Sequence, residues 1–289
     1  MLETLGFYKL QLLGGALLGG LCAALGVFVL LKRMSVFGLT LSQASSAAAA
    51  LTLILFPGKS PIKTDLIPLL LTVILMLPFL YAQLKNPSRL SAILISGMVF
   101  FAALSQILLS LGGEARLHLL RSFFGNILTT DLQEILHMLP IALIVILLYI
   151  YFYRDFIAVA FDSDHARLTG ISALRTDLVF FLMLSYVLLE SVKLMGSFYT
   201  LTQLIVPPLF ALALYRRVSR VILAAILYAV VMTAGGFALS LQPLKIGEKA
   251  LNLPTSSVII LLMCAGLLVA FLYRAALGFF RSKADDAKG

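Results

Sequence analysis

Residues 161–171 read FDSDHARLTGI, and this polar segment interrupts a chain that is otherwise mostly apolar. Asp162, Ala166 and Gly170 are each four positions apart, which puts Asp162 and Ala166 on one face of a short amphipathic helix. Asp162 or Ser163 can cap the start of that helix, and Gly170 can end it. A flat helix of this kind fits a cleft in a soluble partner. An ordinary solvated loop is the alternative that spacing alone leaves open.

The composition indicates an integral membrane protein. Hydrophobic residues make up 61% of the 289 positions and charged residues 12%, whereas soluble domains are about half apolar. Runs of about 20 apolar residues recur along the whole length, and each can cross the hydrocarbon core as a helix. The runs lack the alternation of barrel strands. We therefore predict a single all-α membrane domain over residues 1–289, since helices then satisfy every backbone group within the bilayer.

Nine apolar runs predict nine transmembrane helices. Their approximate bounds are Leu12–Leu31, Leu39–Phe56, Leu66–Leu84, Leu90–Leu111, Ile135–Tyr153, Leu178–Leu194, Phe198–Leu214, Val221–Leu241 and Ser257–Leu277. Pro207 and Pro208 are expected to break the seventh run, which leaves eight or nine spans. Five glycines in the first run predict close packing, because small residues let helices approach one another in lipid.

The charge distribution predicts an orientation. The net charge of +9 fits the excess of basic residues in cytoplasmic loops better than it fits nucleic-acid binding. One set of alternate connections is the richer in these residues: Lys32, Arg33, Lys85, Arg89, Arg154, Arg167, Arg175, Arg216, Arg217 and Arg220. The positive-inside rule places that set, the polar segment and the C-terminus in the cytoplasm, with the N-terminus outside.

Four stretches, in order, resemble the permeases of the zinc/manganese-type ABC importer family. The polar segment has the family's aromatic-Asp pair, then Ala, then Gly-Ile at the same spacing. KRMSVFG at 32–38 is similar to the turn after the family's first helix, and FGNIL at 124–128 matches an element before its middle helix. The stretch 196–207, followed by the basic pair at 216–217, resembles a further helix and its turn.

This resemblance implies a type II ABC-importer permease, similar to the large cobalamin importers without their first helix. It implies a homodimer in the bacterial inner membrane with a substrate path at the two-fold axis. Two copies of an ATP-binding subunit would dock on the coupling segment 155–175, and an extracytoplasmic solute-binding protein would deliver zinc, manganese or iron. The residues that the resemblance assigns to coupling are Asp162, Ala166, Arg167 and Gly170.

The sequence predicts that the chain is not itself an enzyme. It contains no Gly-x-x-x-x-Gly-Lys-Ser/Thr loop and no His-Glu-x-x-His pair. ATP and Mg²⁺ are therefore expected in the partner subunit, and no cofactor is expected on this chain. Cys22 and Cys264 lie in apolar runs and give neither a disulfide framework nor metal-ligand spacing.

One departure from the family pattern concerns the substrate. Family members usually carry an Asp and, four residues later, a His on the second helix, where this chain has Leu39 and Gln43. The amide oxygen of Gln43 is a weak candidate ligand, and neither residue supplies a charge or an imidazole. A bare metal ion is the preferred substrate; a metal chelate or a small organic solute is the alternative. An ion-coupled secondary transporter is a further alternative, although the sequence shows no inverted repeat.

Side chains on three predicted helices, most of them polar, are candidates for lining the substrate path. Glu190 and Lys193 are three residues apart near the outer end of the sixth run, where ionisable groups are costly. The full set of path candidates is Leu39, Thr40, Gln43, Ser46, Glu190, Lys193, Ser197 and Gln203. The alternatives are an interfacial ion pair for Glu190 and Lys193, and hydroxyl groups that only bridge helices.

Overall fold

The computed structural model describes residues 9–55, 66–85, 90–110, 132–241, 244–246, 249–251 and 254–286. Its helices are α1 Lys9–Leu31, α2 Ser35–Leu55, α3 Ile67–Lys85, α4 Leu90–Ser110, α5 Leu132–Phe161, α6 Ser163–Leu168, α7 Ala173–Met195, α8 Ser197–Leu214, α9 Val218–Ser240 and α10 Thr255–Asp286. All nine predicted runs form helices, and α6 adds a short helix within the polar segment. The FGNIL stretch lies outside the described residues.

Most of these helices are long and apolar enough to cross a bilayer. Seven spans in the described part of the chain meet that requirement: 9–31, 91–108, 135–161, 173–195, 197–214, 218–240 and 255–274. A shorter apolar helical stretch covers Ile67–Phe79. The prediction of an all-α, multi-pass membrane protein is therefore confirmed.

Three local features differ from the prediction. Helix α8 runs unbroken from Ser197 to Leu214 with both prolines inside it, so the predicted break at Pro207 and Pro208 is wrong. Helix α5 continues to Phe161, past the predicted end at Tyr153. A small antiparallel hairpin follows α9, with β1 at Leu244–Ile246 and β2 at Lys249–Leu251. The hairpin could not be predicted from hydropathy, because its strands are only three residues long.

Helices α1 and α7 form the centre of the bundle. In each of them 78% of the spanning residues are buried, against 28% in α4, α5 and α10. Most of the buried polar side chains lie on α2, α7 and α8, whereas the outer helices expose Leu, Ile, Val and aromatic side chains at lipid-facing positions.

A close contact between α1 and α8 explains two of the glycines in α1. Pro208 has no N–H, so the carbonyl group of Leu204, four residues earlier, loses its helical donor. A Cβ atom on Gly26 would overlap this carbonyl oxygen. Two helical turns earlier on α1, a Cβ atom on Gly19 would lie 2.9 Å from both Gln203 Nε2 and Tyr199 Oη. The glycine face of α1 therefore receives α8 directly, and the predicted close packing is confirmed.

Gly26→Ala is expected to destabilise the protein, because the added methyl group meets backbone atoms that cannot rotate away. Overpacking of this kind costs about 1–3 kcal/mol, which thermal unfolding of the detergent-purified chain would detect as a lower midpoint. Gly20→Ala is the matched control, since its methyl group would lie 3.6 Å from Ile226 Cγ2, an ordinary contact. Equal midpoints for the two variants would contradict the close approach of α1 and α8.

Candidate coupling surface and candidate substrate path

The polar segment forms the short helix α6 with a defined start and a defined end. Asp162 Oδ1 accepts hydrogen bonds from the backbone N–H groups of Asp164 at 3.0 Å and His165 at 2.9 Å. At the other end, Gly170 adopts φ +86°, a conformation that favours glycine. Its N–H donates to the Arg167 carbonyl at 3.1 Å, and the next N–H donates to the Ala166 carbonyl at 2.9 Å. This is the double closure of a Schellman motif.

Ala166 faces the body of the protein rather than the solvent. Its side chain is only 1% exposed and packs in a small cluster with Val159 of α5 and Ala173 of α7. The sequence placed Ala166 on one face with Asp162, and the family resemblance assigned both to coupling with the ATP-binding subunit. The structure shows that the small side chain lets α6 lie against the ends of α5 and α7. Ala166 therefore positions the segment and cannot itself reach a partner.

The outward face of the polar segment carries two large apolar side chains. Leu168 is 86% exposed and Phe161 is 66% exposed. Asp162, Asp164 and Arg167 are exposed around them, and Arg167 Nη1 lies 3.9 Å from Asp164 Oδ1. Sequence reasoning did not select Leu168 or Phe161. The available signal was the presence of two large apolar residues in an otherwise polar stretch.

Contacts at the same end of the bundle join the polar segment to the central helices. The Lys32 ammonium pairs with the Asp177 carboxylate and lies 5.2 Å from the centre of the Phe180 ring, so the end of α1 is attached to the start of α7. The Phe28 ring of α1 contacts Phe156 of α5 at 5.7 Å and Phe180 of α7 at 6.4 Å between centroids. Helices α1, α5 and α7 are thus packed into one block at this end of the bundle.

Near the other end of α7, the structure pairs Glu190 with Lys193. Lys193 Nζ lies 2.9 Å from Glu190 Oε1, and Glu190 as a whole residue is 6% exposed. A carboxylate at membrane depth is strongly disfavoured unless a charge or a hydrogen bond offsets the loss of water. The ammonium group of Lys193 meets that requirement and leaves the pair with no net charge.

Gln203 occupies a hydrogen-bonded position between helices. Its Nε2 donates to Tyr199 Oη at 2.6 Å and to Thr233 Oγ1 at 2.8 Å, and Tyr199 Oη donates to the Gly15 carbonyl at 3.3 Å. These bonds connect α8 with α9 and α1, so the Nε2 group of Gln203 is a bridge between helices, whereas its buried Oε1 has no partner among the described residues. Tyr199 and Thr233 were missed in the sequence, although Tyr199 precedes Gln203 by one helical turn.

The candidates on α2 point in different directions. Thr40 Oγ1 donates to the Leu94 carbonyl of α4 at 2.8 Å, which makes it a bridge to that helix. Leu39 is half-buried. Gln43 Oε1, Ser46 Oγ and the Ser197 Oγ of α8 are buried, and no described residue offers them a hydrogen-bond partner. Buried polar atoms of this kind call for an explanation, such as water or a passing ligand.

The register of α2 and α7 places one of these groups level with the ion pair. The rings of Phe37 on α2 and Phe181 on α7 are 5.7 Å apart. Both helices begin at the end of the bundle where Lys32 pairs with Asp177. Ser46 lies nine residues beyond Phe37, and Glu190 lies nine residues beyond Phe181, which is about 13 Å along each helix. Ser46 and Glu190 therefore lie at the same depth. No group of three His, Cys, Asp or Glu residues comes together within the described ranges.

Comparisons with known proteins show clear relatives. Residues 6–274 match the model of the ABC 3 transport family. The chain is 26% identical to the chelated iron transport system membrane protein YfeC of Yersinia pestis, over 93% of this chain and 86% of that protein. It is 24% identical to the high-affinity zinc uptake system membrane protein ZnuB of Haemophilus influenzae, over 79% and 86%. The structure of PsaBC from Streptococcus pneumoniae in complex with Fab superposes with a TM-score of 0.78 at 19% identity, covering 91% of this chain and 90% of that chain.

Asp162→Ala is expected to loosen α6, because two backbone N–H groups lose their acceptor. Loss of a helix cap costs about 1 kcal/mol, which corresponds to roughly five-fold faster hydrogen–deuterium exchange of the amides at 163–169. Asp164→Ala is the control, since Asp164 is exposed and makes only the distant contact with Arg167. Equal exchange in the two variants would show that the Asp162 cap does not hold the segment.

Proposed function

The chain belongs to the ABC 3 transport family, and from that premise we propose that it imports a divalent transition metal ion as the permease subunit of an ATP-driven transporter. The family resemblance inferred from the motifs is confirmed by the match over residues 6–274. The chain is a multi-pass membrane subunit of an ABC transporter and not an enzyme. Metal import is supported by the relatives, two of which are named for the transport of iron and zinc.

The polar segment carries the proposal. A permease that does no chemistry needs a surface through which an ATP-binding subunit can move it. The helix α6 is capped at both ends, seated on α5 and α7 through Ala166, and presents Leu168 and Phe161 to the outside. Exposed large apolar side chains within a charged rim are typical of a protein interaction site.

In the proposed assembly, two copies of the chain form the substrate path between them in the bacterial inner membrane. An ATP-binding subunit docks on the segment 155–175 of each copy, with the C-terminus on the same, cytoplasmic side and the N-terminus outside. An extracytoplasmic solute-binding protein supplies the metal. ATP with Mg²⁺ binds in the partner subunit, whose closure moves α6 and rocks the helices around the dimer axis.

Within the path, we assign the substrate contacts to the deep polar residues of α2, α7 and the start of α8. Glu190 is the sole carboxylate among the buried charged side chains that the structure describes, and Ser46 lies at its depth. Gln43 and Ser197 contribute neutral oxygen atoms that have no described partner. A divalent cation entering here would compete with Lys193 for the Glu190 carboxylate, so binding would be weak and release easy.

A metal chelate is the second candidate substrate, and one observation favours it. The carboxylate of Glu190 is already paired with Lys193, and the other path candidates are neutral, so the proposed lining has no net charge. A neutral lining suits a cargo whose charge is already offset by its own ligands, because a bare dication would lose its water without a compensating charge.

Leu168→Asp is expected to weaken assembly with the ATP-binding subunit strongly while leaving the thermal unfolding midpoint of the chain unchanged. The substitution puts a charge in the centre of the outward face, and loss of an interface anchor typically costs about 2 kcal/mol or more. The affinity for the ATP-binding subunit should therefore fall by about thirty-fold or more, and co-purification and ATP-dependent uptake should fall with it. Leu168→Met, which keeps the apolar volume, is the matched control.

Ala166→Asp should behave differently from Leu168→Asp. Its carboxylate would enter the cluster with Val159 and Ala173, so stability and assembly should fall together. Normal assembly of the Leu168→Asp variant would show that the outward face is not the docking surface.

Growth under metal limitation tests which substrate the chain imports. Cells without the chain, grown with limiting metals, are expected to lose one of zinc, manganese or iron selectively, as measured by mass spectrometry of total cell metal. The wild-type chain should restore that metal. The double variant Glu190→Gln/Lys193→Met should fail to restore it, although both charges leave together and neither is left unpaired in the membrane.

The outcomes separate the two candidates. Restoration by the double variant would exclude the ion pair from the substrate path. Unchanged levels of all three metals, with a loss of uptake only when the metal is supplied as a chelate, would replace metal-ion import by chelate import.

A further inference from the structure

An apolar groove runs along the outer surface between α8 and α9. Its walls are formed by Leu214 of α8 and by Ala224, Leu227 and Val231 of α9, which recur at helical spacing along one face. The groove has a volume of about 340 Å³. Phe210 and Tyr228 also line it, and their stacked rings, 3.9 Å apart, form its floor. Tyr228 is fixed in turn by a 2.6 Å hydrogen bond from its hydroxyl group to the Met263 carbonyl of α10.

The mouth of the groove is basic. Arg220 lines an adjoining cavity of about 280 Å³ that shares Tyr215, Ala224 and Leu227 with the groove. Arg216 and Arg217 are exposed just before α9 begins. The hydroxyl groups of Ser219 and Tyr153 are 3.2 Å apart, which ties this end of α9 to the end of α5 that leads into the polar segment. The basic mouth and the polar segment therefore lie at the same end of the bundle.

The length of the groove matches one leaflet of a bilayer. Val231 lies eleven residues beyond Arg220 on α9, which corresponds to about 16 Å along the helix. Half of the hydrocarbon core is about 15 Å thick. An acyl chain lying along Leu223, Leu227 and Val231, all of which are exposed, would thus end near the middle of the membrane while its headgroup stays at the arginines.

We propose that this groove is a binding site for an anionic phospholipid, with an acyl chain between α8 and α9 and the phosphate held by Arg220 together with Arg216 and Arg217. Arginine is suited to phosphate because its planar guanidinium group donates two parallel hydrogen bonds. A free phosphate ion would use only the arginines and would leave the apolar groove empty. Basic pockets between helices at the cytoplasmic surface are a recognised setting for acidic lipid headgroups.

The absence of tryptophan from the sequence permits a direct test. The full-length chain carrying Leu227→Trp is placed in phosphatidylcholine nanodiscs that contain phosphatidylglycerol, with bromine on the acyl chains of one lipid or the other. Leu147→Trp is the matched control: Leu147 is exposed on α5 and lies seven residues from Arg154, as Leu227 lies seven residues from Arg220. Both probes therefore sit about 10 Å from an arginine.

Brominated phosphatidylglycerol should quench the Leu227→Trp probe in preference to brominated phosphatidylcholine. The ratio of quenching by phosphatidylglycerol to quenching by phosphatidylcholine should be about five-fold greater than at Leu147→Trp. Adding Arg220→Gln should lower this ratio by about five-fold. Equal preference at the two positions, or no effect of Arg220→Gln, would overturn the proposal. Quenching by neither lipid would overturn it in favour of a second copy of the chain covering the groove. Leu223→Trp probes the same groove if Leu227→Trp does not fold.

Discussion

The fold depends on the contact between the glycine face of α1 and the backbone of α8. Within a bilayer, burial of apolar surface does not drive helices together, so close backbone approach and internal hydrogen bonds must do so. Gly26 provides the approach at the carbonyl group of Leu204, which Pro208 deprives of its helical donor. Gly19 provides it beside Gln203 and Tyr199. With α1 and α8 held in this way, α1 becomes the central helix against which α5, α7 and α9 pack.

The same constraint decides where polar groups can be used. The Nε2 group of Gln203 and the hydroxyl groups of Tyr199 and Thr233 are hydrogen-bonded to one another at the junction of three helices, so these groups hold the bundle together. Glu190 and Lys193 form a neutral pair, which allows ionisable groups to lie deep in α7. The buried oxygen atoms Gln43 Oε1, Ser46 Oγ, Ser197 Oγ and Gln203 Oε1 have no such partner among the described residues, so they are available to the proposed substrate.

Much of the architecture could be predicted from the sequence because membrane helices follow from the length of apolar runs, and a helix cap follows from local spacing. Asp162 and Gly170 illustrate this, since their roles involve only neighbouring residues. The features that local spacing did not reveal depend on distant partners. The Leu204 carbonyl beside Pro208 meets Gly26 of another helix, and the amide of Gln203 donates to Thr233, thirty residues away. The inward orientation of Ala166 likewise depends on where α5 ends and α7 begins.

The position of the polar segment relative to the ion pair suggests how movement could reach the substrate path. Helix α7 starts beside α6 and is continuous from Ala173 to Met195, so Glu190 lies about 25 Å from its start along a rigid element. The Lys32–Asp177 pair and the Phe28 ring cluster keep the first turns of α7 attached to α1 and α5. A tilt of this block imposed at α6 would therefore shift Glu190 most, because displacement grows with distance from the point that is held. A gate controlled from the polar segment is thus best placed at the far end of α7, which is where Glu190 and Lys193 lie.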